Sequence, residues 1–497
     1  MSLQFSRAVF LAAMLLGSAP LLAPPPAFAE SATSEGAKAL AQSLAPYFGQ
    51  SAFDRGLITV APKGEAYELS FDLQGIVDGF GLPLPKDAVR IGRYSLLVAP
   101  FPDGTWKVMT SDNFPKIDIK VPTPQGDMAF SLSASGNVFE GVYDPKFATL
   151  LSLKQKIPAF NMTVSAPNSG VAAMVTDVDV QLQGKGLADG SVSGKFQETF
   201  RHVVETVKMT PAAKPNGPPS SPVTVSYDIG PITYDGAFEN LRSREVLNLL
   251  AFFVAHQGQQ EIVAHQTELK DKILATFPLW KNIDATVKVE NLALDTALGR
   301  FGAKSIVQSL QQTGLVAQAA MVLGVNMDGL SVPSGLVPAW ATPLVPTALD
   351  VDVKFQMNDL DKIAHAAVAN IELRPNQSPD VSKLAIIAAM AMGSEPKLTL
   401  APSHLSSPSL DLYFQGEMAL VPKPTGTLTL EAEGLDKALS RLQEAAKSNP
   451  GLQQAVLMLT VAKGLAKPGA NGRSLWVVDY GADGAVSVNG KTVSPAK

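Results

Sequence analysis

The chain has 497 residues, of which 46% are hydrophobic and 17% are charged. This composition is too apolar for a disordered protein, and the length corresponds to about two to four structural units. The 40 basic and 45 acidic residues give a net charge of −5, which argues against the basic surface of a nucleic-acid-binding protein. Because there is no cysteine, disulfides, thiolate chemistry and cysteine-ligated metals are excluded.

The N-terminal residues have the pattern of a secretory signal peptide. Arg7 supplies a positive start, Ala8 to Leu16 are uncharged and apolar, and Ala27-Phe28-Ala29 matches the small-x-small pattern cut by signal peptidase. The apolar stretch is too short to span about 30 Å of hydrocarbon, and the prolines at 24–26 end any helix. We therefore expect cleavage of residues 1–29 after Ala29 and a periplasmic mature protein.

Residues 30–210 are expected to form a strand-rich N-terminal domain. Apolar and polar residues alternate over Tyr67 to Leu73, Met128 to Ser133 and Val178 to Gln183. Strict alternation is typical of antiparallel strands with one buried and one hydrated face. A helical interruption near Phe147 to Lys156 is compatible with the pattern.

Residues 211–222 (PAAKPNGPPSSP) contain five prolines, so they can form neither a central strand nor a helix. They are interpreted as a linker or a long exposed loop. Residues 223–497 then form a predicted C-terminal α+β domain. A second proline-rich stretch, Pro333 to Pro346, contains Trp340.

The C-terminal half contains a degenerate repeat of a strand, a Leu-Asp pair and a helix pair. The Leu-Asp pairs lie at residues 294–295, 360–361 and 435–436, and each follows an alternating segment. An apolar segment follows each pair, at Leu315 to Leu323, Leu384 to Met392 and Leu452 to Leu465, and is predicted to be helical. The aspartate can cap the next helix and interact favourably with its dipole. An earlier copy is Ile232 to Glu239, followed by a helical region over Arg244 to Ala275.

The sequence thus predicts an α+β fold, in which extended twisted antiparallel sheets carry helix pairs on one face. The chain is expected to end in a hairpin with arms at Leu475 to Tyr480 and Ala485 to Asn489.

The export signal, the strand–Leu-Asp–helix unit and the closing segment Asp483 to Gly490 together resemble the YdgA-like bacterial envelope proteins of unknown function. The resemblance would cover most of the mature chain through short matched segments. It implies no reaction and no catalytic residues. That family usually keeps an N-terminal membrane segment, whereas the segment of this chain has a cleavage pattern.

The chain has no recognisable catalytic or cofactor-binding motif. There is no HExxH, no GxSxG, no P-loop and no GxGxxG after a strand. His256 and His265 lie nine residues apart in one predicted helical region, which places them on opposite faces of a continuous helix. The sequence therefore predicts no metal site, no cofactor and no enzymatic activity.

The remaining candidate for function is an apolar surface. Met321 and Leu323, and Met390 and Met392, lie next to small residues, and methionine adapts to irregular partners. They predict either a groove for acyl chains or the packing of helices on a sheet. Trp340 is the candidate for a lid or for a transient contact with a membrane surface.

Three functions follow from these observations. The first is a non-enzymatic periplasmic protein that binds or carries a lipid or another hydrophobic ligand. The second is an envelope scaffold or assembly factor that binds another protein through an exposed strand edge. The third is a hydrolase without a known signature, whose ionisable residues the fold would bring together.

Overall fold

The computed structural model describes residues 32–79, 85, 88–111, 114–124, 126–211, 221–373 and 388–495. The predicted signal peptide lies outside these ranges, as do residues 212–220 of the proline-rich stretch. In the ranges that are described, no helix has both the length and the apolar character needed to cross a membrane.

The chain forms two compact units. The first contains the described residues up to Phe200, Ala237–Lys281 and a short segment from Ile371. The second contains Arg201–Gly236, Asn282–Asn370 and the described residues after Pro379. The predicted domain boundary at 211–222 falls mainly on residues outside the described ranges and stays a prediction.

The strands of the first unit pair antiparallel along the chain. Strand β9 is 18 residues long, and it pairs with β8 along its first half, with β7 along its second half and with β10 on its other side. The strands are β1 (Ile58–Lys63), β2 (Ala66–Asp72), β3 (Val89–Ile91), β4 (Arg93–Pro100), β5 (Trp106–Thr110), β6 (Ile117–Thr123), β7 (Gly126–Ser135), β8 (Val138–Asp144), β9 (Thr149–Ala166), β10 (Ser169–Gly186) and β11 (Val192–Met209), of which β11 continues into the second unit.

Helices of the first unit bury the apolar side of this sheet. They are α1 (Ser34–Phe48), α2 (Gln50–Asp54), α3 (Leu73–Gly79), α4 (Ser243–Ala255), α5 (Gln259–Ala264) and α6 (Gln266–Ala275). The Thr33 hydroxyl accepts a hydrogen bond from the Gly36 amide and caps α1. Leu44 of α1 and Leu247 of α4 belong to one buried cluster with strand residues such as Val108. Burying one such side chain contributes about 1.5–3 kcal/mol.

The alternating segments predicted as strands are confirmed in β2, β7 and β10. The predicted helical interruption near Phe147 to Lys156 is wrong. A tight turn ends at Ala148, which has a φ of 54°, and β9 begins at Thr149. Asp144 pairs with Thr149, so the hairpin gives this segment strand partners that its own sequence does not reveal.

The second unit is a meander of antiparallel strands with helices inserted between some of them. Its strands are β12 (Val223–Ile229), β13 (Ile232–Leu241, which continues into the first unit), β14 (Asn282–Thr296), β15 (Gly299–Thr313), β16 (Gln318–Asp328), β17 (Ala348–Asn358), β18 (Lys397–Ser406), β19 (Asp411–Ala419), β20 (Thr425–Glu433), β21 (Lys467–Pro468), β22 (Ser474–Tyr480), β23 (Val486–Val488) and β24 (Lys491–Ser494). Its helices are α7 (Leu360–Asn370), α8 (Leu435–Ser448) and α9 (Gln453–Leu465), and residues 388–393 are also helical. The antiparallel sheet with inserted helices confirms the α+β class.

The predicted repeat is confirmed only in part. Helices follow the strands at Leu360 and Leu435, but Leu294 and Asp295 lie in strand β14, which turns directly into β15. Gly299 closes that turn with a φ of 113°, a conformation that suits glycine. The segment predicted as a helix over Leu315 to Leu323 is also wrong, because β16 begins at Gln318. The threefold repeat of strand and helix pair is therefore not confirmed.

Two other predictions about this half of the chain are confirmed. Strand β13 is followed by the helices α4, α5 and α6, as the earlier copy at Ile232 to Glu239 predicts. The closing hairpin is formed by β22 and β23, with a turn in which the Gly481 amide donates to the Ala485 carbonyl.

A buried glutamate lies on β11 of the first unit. Val192, Glu198 and Phe200 share one face of the strand and are all buried. Burial raises the pKa of Glu198 from 4.5 to about 7, because the charged form loses its hydration. The folded state therefore favours the protonated carboxyl, and this contribution to stability is present below pH 4.5 and is lost as the pH rises through about 7.

We predict that Glu198→Gln stabilises the protein at alkaline pH. The expected gain in the free energy of unfolding is up to about 3 kcal/mol at pH 8 and close to zero at pH 4, because the neutral amide carries no charge to desolvate. Urea unfolding at both pH values measures it. Glu65→Gln, on an exposed turn, is the control. An equal effect of Glu198→Gln at both pH values would contradict this account.

Candidate functional site

The meander of the second unit separates apolar from polar side chains between its two faces. Residues opposite each other in the register point to the same face, and so do residues two apart along a strand. One row in register is formed by Leu310, Leu323, Val353, Leu400, Gly416, Leu428 and Val478, from β15 to β22. The next row on this face is Met321, Phe355, Leu398, Met418, Gly426 and Tyr480. We call these two rows the apolar face.

The row between them points to the opposite side of the sheet and is polar. From β17 to β22 it contains Lys354, Thr399, Glu417, Thr427 and Asp479 in register, and its member on β16 is the apolar Val322. Lys397 forms an ion pair with Glu417 at 2.5 Å, and the Thr427 hydroxyl donates to Asp479. This second side of the sheet is therefore suited to water.

Large side chains of the apolar face remain exposed. Leu323, Leu398, Leu428 and Tyr480 are 46%, 37%, 40% and 39% exposed, and they lie on β16, β18, β20 and β22. Their neighbours on the intervening strands, Val353, Phe355 and Met418, are only partly buried. Contiguous exposed apolar surface on a folded protein marks a site for a ligand, a protein or a membrane.

Helices α8 and α9 cover only one end of this face. Ala432 and Trp476 are buried there with Leu435 of α8, and Leu459 of α9 packs against them. The Trp476 indole also donates a hydrogen bond to the carbonyl oxygen of Ala462 in α9, at 2.7 Å. Val478, two residues further along β22, is only partly buried. The cover by α8 and α9 therefore ends between Trp476 and Val478.

Two glycines bring strands β19 and β20 close together within the apolar face. A β-carbon at Gly416 would lie 2.5 Å from the carbonyl oxygen of Thr427, and one at Gly426 would lie 2.5 Å from that of Glu417. No side chain fits against backbone at this distance without a shift. The glycines also leave a gap in each apolar row, because they have no side chain.

Of the residues predicted as a ligand site, Met321 and Leu323 lie on the apolar face. They do so on a strand and not on the predicted helix. Met392 is exposed and Met390 is partly buried in the helical residues 388–393. Trp340 is partly buried in the loop after β16. That loop begins after Asp328, the last residue of β16. At about 3.3 Å per residue, the start of the loop lies about 23 Å along the strand from Met321.

Sequence reasoning missed Phe355, Leu398, Leu428 and Tyr480 as members of this surface. The signal was present, because apolar residues alternate along β18, β19 and β20. What the sequence does not reveal is the register that sets these strands side by side. A ligand role for any of these residues stays a prediction.

The expected separation of His256 and His265 is wrong. The helical region is broken after Ala255, and Gly258, with a φ of 95°, redirects the chain into α5. The two imidazole rings consequently lie 3.9 Å apart between centroids.

A model of the family described as "Uncharacterized protein conserved in bacteria (DUF2125)" matches residues 251–491. The chain is thus similar to an uncharacterised bacterial family, and the matched segment contains the whole apolar face as well as both histidines. The narrower resemblance to YdgA-like proteins is not confirmed by this match. No curated protein and no solved structure matches the chain.

We predict that Gly416→Ala destabilises the protein by about 1–3 kcal/mol, because its methyl group would press on the backbone of β20. Chemical unfolding measures the loss. Gly464→Ala is the matched control, because this glycine of helix α9 has no atom within 4 Å of the added β-carbon. That control should be neutral or stabilising by up to about 1 kcal/mol. Equal stabilities for the two variants would contradict the close approach of β19 and β20.

Proposed function

We propose that the protein is an exported, non-enzymatic binder of lipids that holds an acyl chain on the apolar face of its second unit. The observation that carries this proposal is the exposure of Leu323, Leu398 and Leu428 on alternate strands of one sheet face. Each methylene group removed from water contributes about 0.8 kcal/mol, so an acyl chain gains several kcal/mol from a row of such side chains.

The dimensions of the face support an extended hydrocarbon. The six strands from β16 to β20 and β22 give five strand spacings, or about 24 Å at about 4.8 Å each. One leaflet of a bilayer has a hydrocarbon depth of about 15 Å, half of about 30 Å. A single acyl chain therefore fits along either row.

The polar row on the other side of the sheet favours a ligand over a fully packed scaffold. Ion pairs such as Lys397–Glu417 keep that side hydrated. Covering the apolar face with a ligand is therefore the change that lowers the free energy. A scaffold would instead have a solid core and offer a strand edge to its partner. A protein partner on the apolar face is an outcome that the binding experiment distinguishes.

The proposed location is the periplasm, after cleavage of the signal peptide at Ala29. There the protein would shield an acyl chain from water between membranes. Helix α9 offers a transient contact with a membrane surface, because Leu457, Met458 and Val461 lie on one side of it and are more than half exposed. The sequence predicts this role for Trp340, but Trp340 is partly buried and the more exposed α9 residues suit it better.

We predict that replacing Leu323 and Leu428 by glutamine weakens the binding of fluorophore-labelled palmitate at least tenfold. Each substitution removes about 1 kcal/mol of apolar contact, and 1.4 kcal/mol corresponds to a factor of ten. Fluorescence titration of the purified mature chain measures the dissociation constant.

Leu298→Gln is the matched control for that titration. Leu298 is an exposed leucine in the turn between β14 and β15, outside the apolar face. It should bind palmitate like the unchanged chain. Native mass spectrometry of protein purified from membranes should also detect a bound lipid. A chain that is consistently empty, or one that carries a protein on this face, would contradict the lipid proposal.

We predict that the exported protein begins at Glu30, since the residues at 27 and 29 are both alanine. The double substitution of Ala27 and Ala29 by arginine should leave an uncleaved precursor, whereas Phe28→Gln should be cleaved normally. Mass spectrometry of the cytoplasmic, membrane and periplasmic fractions gives the location and the N-terminus of each form. A full-length chain confined to the cytoplasm would contradict export.

A further inference from the structure

The break at Gly258 assembles a cluster of potential metal ligands in the first unit. His256 ends α4, Glu261 lies in α5 and His265 stands between α5 and α6. One ligand atom from each of these three residues lies within 4.8 Å of the other two. The two imidazole rings stack with their centroids 3.9 Å apart and their planes inclined by 30°.

The hydrogen bonds around His265 favour a metal-binding tautomer. Its Nδ1 donates to the carbonyl oxygen of Glu261 at 2.9 Å, which leaves the lone pair of the neutral ring on Nε2. Metal-binding histidines characteristically donate their second nitrogen to a carbonyl or a carboxylate in this way.

Carboxylates give the cluster a negative charge. Glu261 Oε2 lies 3.8 Å from His265 Nδ1, and Glu268 Oε2 lies 3.8 Å from His256 Nε2. Glu268 is shared with Lys272 at 3.5 Å, so it is suited to support His256 and not to serve as the main ligand. Two imidazoles beside the Glu261 carboxylate match the ligand set of a divalent transition metal.

The distances between the three ligand atoms approach those found around a bound metal ion. Zinc–nitrogen bonds of about 2.0–2.1 Å in a tetrahedron set two ligand atoms about 3.3 Å apart. The ligand atoms of this cluster lie within 4.8 Å of one another, and side-chain rotation would have to bring them to this distance when the ion binds. The Glu261 side chain is 60% exposed, so it can turn toward the two imidazoles while the Nδ1 hydrogen bond of His265 is kept.

We propose that His256, Glu261 and His265 bind a zinc ion, with water as the fourth ligand. The ion would fix the turn that connects α4, α5 and α6. His256 packs on Phe252, with ring centroids 4.5 Å apart, and Phe252 is almost fully buried. Metal binding thereby stabilises the position of α4, whose Leu247 belongs to the core of the first unit. The assigned role is structural and independent of the apolar face.

Zinc titration of the metal-free mature chain by calorimetry at pH 7.5 tests this site. The unchanged chain should bind one zinc ion and unfold at a higher temperature with zinc than with EDTA. His265→Ala should weaken binding at least a hundredfold, and Glu261→Gln about tenfold. Cobalt bound to the unchanged chain should give the intense visible bands of a tetrahedral site.

His202→Ala is the control, because His202 pairs with Asp228 at 2.8 Å outside the cluster. It should bind zinc like the unchanged chain. In EDTA, unfolding curves of His265→Ala that match those of the unchanged chain establish that the variant is folded. Absence of zinc binding by the unchanged chain, or equal binding by the folded His265→Ala variant, would overturn the proposal.

Discussion

The register of the antiparallel meander in the second unit is the constraint on which the account depends. Because side chains alternate along a strand, a slip by one residue moves every side chain to the opposite face. The register from β15 to β22 brings Leu323, Leu400 and Leu428 into one row and Thr399, Glu417 and Asp479 into the neighbouring row on the other side. The register of β18 shifts by one residue against β17 and against β19 beyond Leu400, and both apolar rows lie on the same side of this shift.

The two units differ in how far helices cover the apolar face of their sheets. In the first unit, helices α1 and α4 cover the apolar side, and Leu69 and Val108 have no exposed surface. In the second, helices α8 and α9 cover only the end around Trp476. The first arrangement stabilises a fold, whereas the second leaves apolar side chains such as Leu323 and Leu428 exposed in the described part of the chain. The same chemistry therefore gives a core in one unit and a candidate binding surface in the other.

The sequence predicts the α+β class, strands such as β2, β7 and β10, and the helical region after β13, because alternation and flanking turn residues are local signals. The segments at 294–301 and 435–442 illustrate the limit. They share five of eight residues, yet one is a hairpin and the other a helix. Gly299 adopts a positive φ where the helical copy has Ser440.

Likewise, Met321 and Leu323 lie in a continuous apolar run, for which periodicity cannot distinguish strand from helix. The contact between the His256 and His265 rings depends on the helix break at Gly258, which the helical periodicity does not reveal. The pairing of strands from distant segments likewise cannot be predicted from local patterns.

Photo-crosslinking with a diazirine-labelled fatty acid, followed by peptide mapping, tests whether an acyl chain binds the apolar face. We expect adducts on β16, β18, β20 and β22 at the exposed residues Leu323, Leu398, Leu428 and Tyr480. The polar row with Thr399 and Glu417 should remain unlabelled. Adducts spread equally over both sides of the sheet, or confined to the first unit, would contradict an acyl-chain site on the apolar face.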